Sequence, residues 1–569
     1  MTADTEANGE IAGNAEKVIN PINGVEGLAA VNSHRPTATG ETEINGHGQQ
    51  SELPPHPGLL DQWHSQPRKL RIIHVGAGAT GLCAAFKMER QLTDYELVCY
   101  EKNPEIGGTW PAHIYTYTFE PNPKWKSYYA YAPEIQQYFM DFCEKYQLRK
   151  YIKLEHKVIG ATWHEEKGQW EVKIEHDGQI LTDWAHILMN GSGFLNRWRW
   201  PEIDGLHSFK GALMHSAAWN DTVDLKDKRV ALLGTGSSAI QILPQVQQGS
   251  PKCFSPSNTW ISPPMPRVPV ELTEGTKATS SHEEVNPDVS QAYYKAEEVQ
   301  RFIDDPEYHL QYRKQIEHGI NVGFAIFYKD SQASQIAKEY MVSAMKRRLQ
   351  DNPELCKRLI PDWPVGCRRL TPGDGYLEAL IKSNVDPVYA EITAVVPEGL
   401  CTEDGAFHEV DVIICATGFD MAWTPHFDLV GTHGQRLKDA WQPHPNSYLG
   451  IAAPGFPNYW VMNGPRGALC NGTVLPCFET QVEYAIAAAK KIQSEQIHSL
   501  SVKDDVTRML NRYVDKWQEG SVWTGECKSW YKNNTVNGKV MCWGGSSMHY
   551  LKTIKTPRWE HYDIRYVCQ

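Results

Sequence analysis

Three short stretches of this chain hold residues whose types and spacing could do chemistry. Gly76-Ala77-Gly78-Ala79-Thr80-Gly81 puts glycines where a dinucleotide turn needs a tight bend, a close approach to pyrophosphate, and close helix packing. Glu101, 20 residues past Gly81, can accept hydrogen bonds from a ribose diol. Gly234-Thr235-Gly236-Ser237-Ser238-Ala239 repeats the turn with alanine at its third small position. About 20 residues on, Phe254-Ser255-Pro256-Ser257-Asn258 offers no carboxylate; one there would repel a 2′-phosphate, so its absence favours NADPH over NADH. Gly234, Thr235, Gly236, Ser237, Ser238, Gln241 and Ser257 are the expected contacts of this second nucleotide, while the lone Lys252 reads as a solvated surface residue. The third stretch is Gly366-Cys367-Arg368-Arg369-Leu370-Thr371-Pro372-Gly373. Taken alone, its two adjacent arginines read as a surface pair. A guanidinium nevertheless stays charged, and a fixed cation is most useful where negative charge develops in a dry site.

Strands and helices must aim these turns. Residues 70–75 read as a buried parallel strand, 79–92 as a helix with Leu82, Ala85, Phe86 and Glu89 one turn apart, and 95–100 as the next strand, together a βαβ unit. A second unit starts with the strand 229–233 and continues as a helix through Ile240 and Val246. Residues 283–358 are polar and helical, and the stripe Ala337, Met341, Met345, Leu349 reads as ordinary helix core. The strand 411–415 and the helix 482–492 place the C-terminal region back in the first domain, which is then discontinuous. The expected fold is α/β with two Rossmann-like dinucleotide-binding domains of the flavoprotein monooxygenase type, a helical insertion and a disordered N-terminal tail. Its expected bounds are 1–65 for the tail, 66–205 and 391–569 for the first domain, and 206–390 for the second.

Composition narrows the function. The chain has 569 residues, 41% apolar and 22% charged, which fits a soluble globular protein of two or three domains. Residues 1–60 hold no aromatic residue and eight acidic residues against Lys17 and Arg35, too little apolar surface to offset ordering entropy. No run of about 18 apolar residues marks a membrane span, and the start Met1-Thr2-Ala3-Asp4-Thr5-Glu6 lacks the regions of a signal peptide, so a cytoplasmic location is expected. A net charge of −12, with no dense basic block, argues against nucleic acid. The 13 cysteines are scattered without a C-x-x-C pair, which gives neither a disulfide framework nor a zinc site; most read as reduced core thiols. Two dinucleotide sites without a redox dithiol point to hydride passing from NADPH to a flavin and then to oxygen.

At this point the residues resemble a family. Gly107-Gly108-Thr109-Trp110, the stretch Phe209-Lys210-Gly211-Ala212-Leu213-Met214-His215-Ser216-Ala217-Ala218-Trp219, and Ala416-Thr417-Gly418 are similar to the signatures of Baeyer–Villiger monooxygenases, particularly the fungal type acting on terpenoid or polyketide ketones. The resemblance spans residues 68–566. It implies FAD at the first turn, NADPH at the second, and conversion of a ketone and O2 into an ester or lactone through a C4a-peroxyflavin. It also implies that Arg369 is the arginine beside the flavin and Arg368 an NADPH contact, that Thr109, Trp110 and Tyr115 line FAD, and that Trp530 lies against the nicotinamide nucleotide. His215 takes a hinge role between the domains rather than that of an acid or base. A flavoprotein oxidising nitrogen or sulfur, or hydroxylating its substrate, is the alternative on the same fold.

One segment departs from the pattern. The family runs from G-G-T-W into a loop of roughly a dozen residues whose aspartate pairs with the active-site arginine; here Trp110 meets Pro111 directly, and the next aspartate is Asp141. Three explanations compete: a misread intron boundary, a splice form of impaired activity, or another carboxylate in that role. Pro256 also stands where the family has an arginine for the 2′-phosphate.

Overall fold

The computed structural model describes residues 65–108, 116–247, 250–254, 257–263, 289–421, 423–468 and 470–567. Residues 1–64 of the expected tail and the residues Thr109, Trp110, Tyr115 and Pro256 lie outside them. Two five-stranded sheets organise the rest, each built of parallel pairs. In the first, the order is Tyr459–Val461, Ile187–Asn190, Leu70–Val75, Tyr95–Tyr100, Ile152–Lys153. Strands covered on both faces need near-continuous apolar runs, and Leu70, Ile72, Ile73 and Val75 are all buried. Helix Ala79–Gln91 shares its core with the long helix Leu475–Ser494, through Leu82, Ala85 and Met88 on one and Val482, Ile486 and Ala489 on the other. The C-terminal third thus supplies both a strand and a helix to the first sheet's layers.

The second sheet has the order Asp386–Val388, Ser250–Phe254, Arg229–Leu233, Val412–Cys415, Ala212–His215. Val412–Cys415 therefore belongs to the second sheet, whereas the sequence pattern places a boundary at 391 and gives this strand to the first domain. The reason is physical: four buried apolar residues fit the middle of either sheet, and nothing local marks which one.

The polar helical region resolves into Ala296–Asp304, Pro306–Val322, Gln332–Arg348 and Pro353–Leu359. Asp305 and Asn352 cap the second and fourth, each followed by proline at the first helical position, where its missing N–H costs nothing. Met341, Met345 and Leu349 are buried in the second sheet's core, so the stripe is packing. This region also ties the two halves together. Arg313 donates to Thr116 Oγ1 at 3.0 Å, and Asp374 accepts the N–H groups of Ser290 and Gln291 at 2.8 Å. Among the described residues no helix is long and apolar enough to cross a membrane.

The cysteine expectation needs correcting. Cys367 is bonded to Cys527 and Cys470 to Cys542, with both Cα pairs 6.3 Å apart. Sequence separations of 160 and 72 residues hide such pairs from any reading of local spacing. Eight other described cysteines are free thiols.

Candidate functional site

The first glycine turn is fixed by what stands behind it. Gly76 has φ +99°, and a Cβ there would lie 2.9 Å from the carbonyl oxygen of Gly191. A Cβ on Gly81 would overlap the Gly76 carbonyl, so only glycine lets the helix start this close to the strand. Gly78, by contrast, faces open space: its Cβ would meet nothing nearer than Gly108 Cα at 3.8 Å. No side chain caps the helix that Gly78 begins, which leaves its first N–H groups for an anion. Glu101 closes the turn. Its Oε2 accepts the Ala77 N–H and its Oε1 the Asn103 N–H, both at 2.9 Å, leaving further lone pairs for a ribose.

Sequence reasoning passed over His74. It is fully buried under the turn, and its Nδ1 donates to the Gly76 carbonyl at 2.8 Å. Burial drives its pKa down to about 4, so the ring is neutral. A lone histidine in an apolar strand gives no sequence signal for this.

The second turn is supported differently. Gly234 has φ +126° and packs on the Ala416 carbonyl, while a Cβ on Gly236 would meet nothing within 4 Å. Hydroxyl groups line it: Thr235 Oγ1 lies 2.9 Å from Ser257 Oγ, and Ser237 Oγ lies 2.6 Å from Thr371 Oγ1. Gln241 Nε2 donates to the Ser237 carbonyl at 3.0 Å. Ser238, at the same helix start, is half-buried. Lys252 is paired with Asp386 at 2.7 Å, in line with a surface role.

A path of contacts joins the two turns. Gly191, against Gly76, leads to Phe194, whose ring stacks on Trp530 at 5.5 Å. Trp530 abuts Tyr531 at 4.3 Å, and burial pushes the Tyr531 hydroxyl up to about 12, with the charge of Arg369 pulling the other way. Two residues beyond Arg369, Thr371 reaches Ser237 of the second turn. Arg348 secures this segment by donating to the Gly373 carbonyl and to Glu378, each at 2.6 Å, and the Cys367–Cys527 bridge ties it to the Trp530 segment. Arg368 is half-buried, with its pKa lowered by desolvation, whereas Arg369 is exposed.

His215 ends its strand stacked on Trp198 at 4.6 Å. Its Nδ1 accepts the Ala217 N–H at 3.1 Å, which leaves Nε2–H to donate to Thr417 Oγ1 at 3.4 Å. The ring thus ties together two of the stretches that carry the family resemblance. Phe427, Trp441, Trp460 and Phe478 are core, whereas Trp423 joins the Phe194 and Trp530 rings.

Two parallel sheets, each with a glycine turn open to a phosphate and joined by a cationic segment, define an oxidoreductase with paired dinucleotide sites. Residues 116–322 match the flavin-binding monooxygenase-like family and residues 75–132 the NAD(P)-binding Rossmann-like domain. The FAD-binding monooxygenase tazF of Aspergillus terreus is 36% identical, over 88% of this chain and 90% of its own. The FAD-binding monooxygenase stcW of Emericella nidulans is 35% identical, over 90% and 86%. A Baeyer–Villiger monooxygenase of Pseudomonas aeruginosa is 29% identical, over 85% and 89%. In fold, the chain is similar to the cyclohexanone monooxygenase of Rhodococcus sp. Phi1 bound to NADP+, with TM-score 0.74 and 21% identity over 88% of this chain and 100% of that one. The chain belongs to the FAD-binding monooxygenase family and is an NADPH-dependent flavoprotein monooxygenase.

Proposed function

We propose that this chain converts a ketone into an ester or lactone, with FAD on the Gly76–Gly81 turn and NADPH on the Gly234–Ala239 turn. The observation that carries the proposal is the Arg368–Arg369 segment, tied to the Trp530 segment by the Cys367–Cys527 bridge and to Ser237 of the second turn through Thr371, while Trp530 stacks on Phe194 near the first turn. FAD held at the first turn would supply the redox chemistry by which the two electrons of NADPH activate O2, the source of the inserted oxygen atom.

The chain's own residues do the rest. The free N–H groups after Gly78 hold pyrophosphate, and Glu101 holds ribose while bracing the turn. Thr235 and Ser257 exchange their mutual hydrogen bond, and Ser237 its bond to Thr371, for nucleotide phosphate, with Arg368 adding charge. Arg369 stabilises the anion that forms as oxygen adds to the ketone carbonyl. The aromatic cluster of Phe194, Trp423 and Trp530 suits a bulky terpenoid or polyketide ketone.

The test is product analysis of purified enzyme with NADPH and either a cyclic ketone or a thioether. Lactone from the ketone supports the reading; sulfoxide alone replaces it with heteroatom oxidation. Arg369→Ala should keep FAD and lose product by at least about a hundredfold. Undiminished lactone formation by that variant would remove Arg369 from its role.

A further inference from the structure

We propose that Asn321 and Asn471 form a subsite that recognises a hydroxyl group on the ketone substrate, an inference that rests on the Baeyer–Villiger reading and narrows its substrate to hydroxylated aromatic ketones. Asn321 Oδ1 and Asn471 Nδ2 are both shut away from solvent without a hydrogen-bond partner. A buried acceptor and a buried donor left open are each unfavourable, and such groups are rare without a role. One accepts and the other donates, which matches a hydroxyl, since a hydroxyl does both.

The backbone brings the two amides to one place. Asn321 lies in the last turn of helix Pro306–Val322, and Asn471 in the loop that leads to helix Leu475–Ser494. Gly472, next to Asn471, has φ +75°, and a Cβ there would lie 3.6 Å from Asn321 Oδ1 and 2.7 Å from Ser547 Oγ. Glycine thus lets the helix come against the loop. The neighbouring polar groups are already used. Glu317, one turn earlier on the helix, accepts from Thr473 Oγ1 at 3.1 Å, and Ser547 Oγ donates to the Asn471 carbonyl. The Cys470–Cys542 bridge fixes the loop beside Asn471. These contacts hold both amides in place before any ligand arrives, which is what selective recognition requires.

The position suits a substrate contact. Phe324, three residues beyond Asn321, and Cys470, next to Asn471, pack in one apolar cluster with Phe194, Trp423 and Trp530. The amides border that cluster, so an aromatic ketone packed on its rings can bring a ring hydroxyl to them. The Glu317 carboxylate on the same helix disfavours an anionic substrate, which leaves a neutral hydroxyl as the recognised group.

The probes are tetralone and its ring-hydroxylated forms, one cyclic aromatic ketone without and with the hydroxyl. In the FAD-loaded wild type with NADPH, at least one hydroxytetralone should show kcat/KM for lactone formation about tenfold above tetralone, through a lower KM. Asn321→Leu and Asn471→Leu, which put an apolar side chain of similar shape in place of the amide, should each bring that ratio to about one. Neither should lower Tm or flavin content, because the buried amide atoms have no partner to lose. A second readout needs no turnover: in equilibrium dialysis the same hydroxytetralone should bind wild type about tenfold more tightly than tetralone and lose that advantage in both variants. Equal handling of the tetralones by wild type, or a ratio that survives in either variant, overturns the inference. So does a clear fall in Tm, because the amides are then structural. Wild type that makes no lactone yet keeps the difference in binding sinks the Baeyer–Villiger reading and leaves the subsite standing.

Discussion

The two glycine turns share one backbone plan and differ in what stands behind it. The first is backed by a buried histidine, His74, and closed by a carboxylate, Glu101, on two backbone N–H groups. The second has the fully buried Leu232 at the position matching His74, no carboxylate, and two hydroxyl pairs across its mouth. Its third small residue is Ala239, which fits, while a Cβ on Gly81 would overlap the Gly76 carbonyl. The difference teaches how one backbone plan is braced in two ways. The first is packed tightly and wired to backbone; the second is looser, with side-chain hydroxyl pairs across its mouth.

That contrast can be broken at the third small position. Gly81→Ala should cost about 1–3 kcal/mol by overpacking and yield protein without flavin absorbance, whereas Ala239→Gly should cost no more than about 1 kcal/mol and keep FAD. Flavin content and Tm of the two variants check this. Glu101→Ala should weaken FAD about ten- to a hundredfold and leave KM for NADPH unchanged, as read by flavin retention on dilution.

The pH response sharpens the same comparison. His74 stays neutral in the folded protein down to about pH 4, while the unfolded chain binds a proton near the ordinary value of 6.5. The unfolded state therefore takes up more protons in that window, and acidification destabilises the fold. Between pH 6.5 and 5 the loss from this one group is about 1–2 kcal/mol, and His74→Asn should flatten the corresponding slope of Tm against pH. The smallest effect belongs to the second turn: Ser257→Ala should raise KM for NADPH about three- to tenfold with FAD content unaltered.

Much of this plan is legible in the sequence because it is local. The strands 70–75, 95–100 and 229–233 agree with the structure residue for residue, since apolar runs bounded by glycine turns state their own limits. The helix expected over 482–492 is longer, Leu475–Ser494, because its apolar face continues into the loop that precedes it. What the sequence does not carry is long-range. Val412–Cys415 enters the second sheet, two disulfides close across 160 and 72 residues, and Phe194 and Tyr531 join the site through contacts far from any glycine motif. Their residue types are ordinary core types, and only the fold distinguishes them from packing.

The two bridges overlap along the chain, with Cys470 inside the 367–527 loop and Cys542 beyond it. A peptide bond cut between residues 470 and 527 is spanned by both covalent links, so the fragments travel as one species on a non-reducing gel and separate only with a thiol. The segment bearing Trp530 and Tyr531 is thereby stitched to two distant stretches of chain, at Cys367 and at Cys470. A nick in that stretch would leave the enzyme in one piece as long as its surroundings stay oxidising.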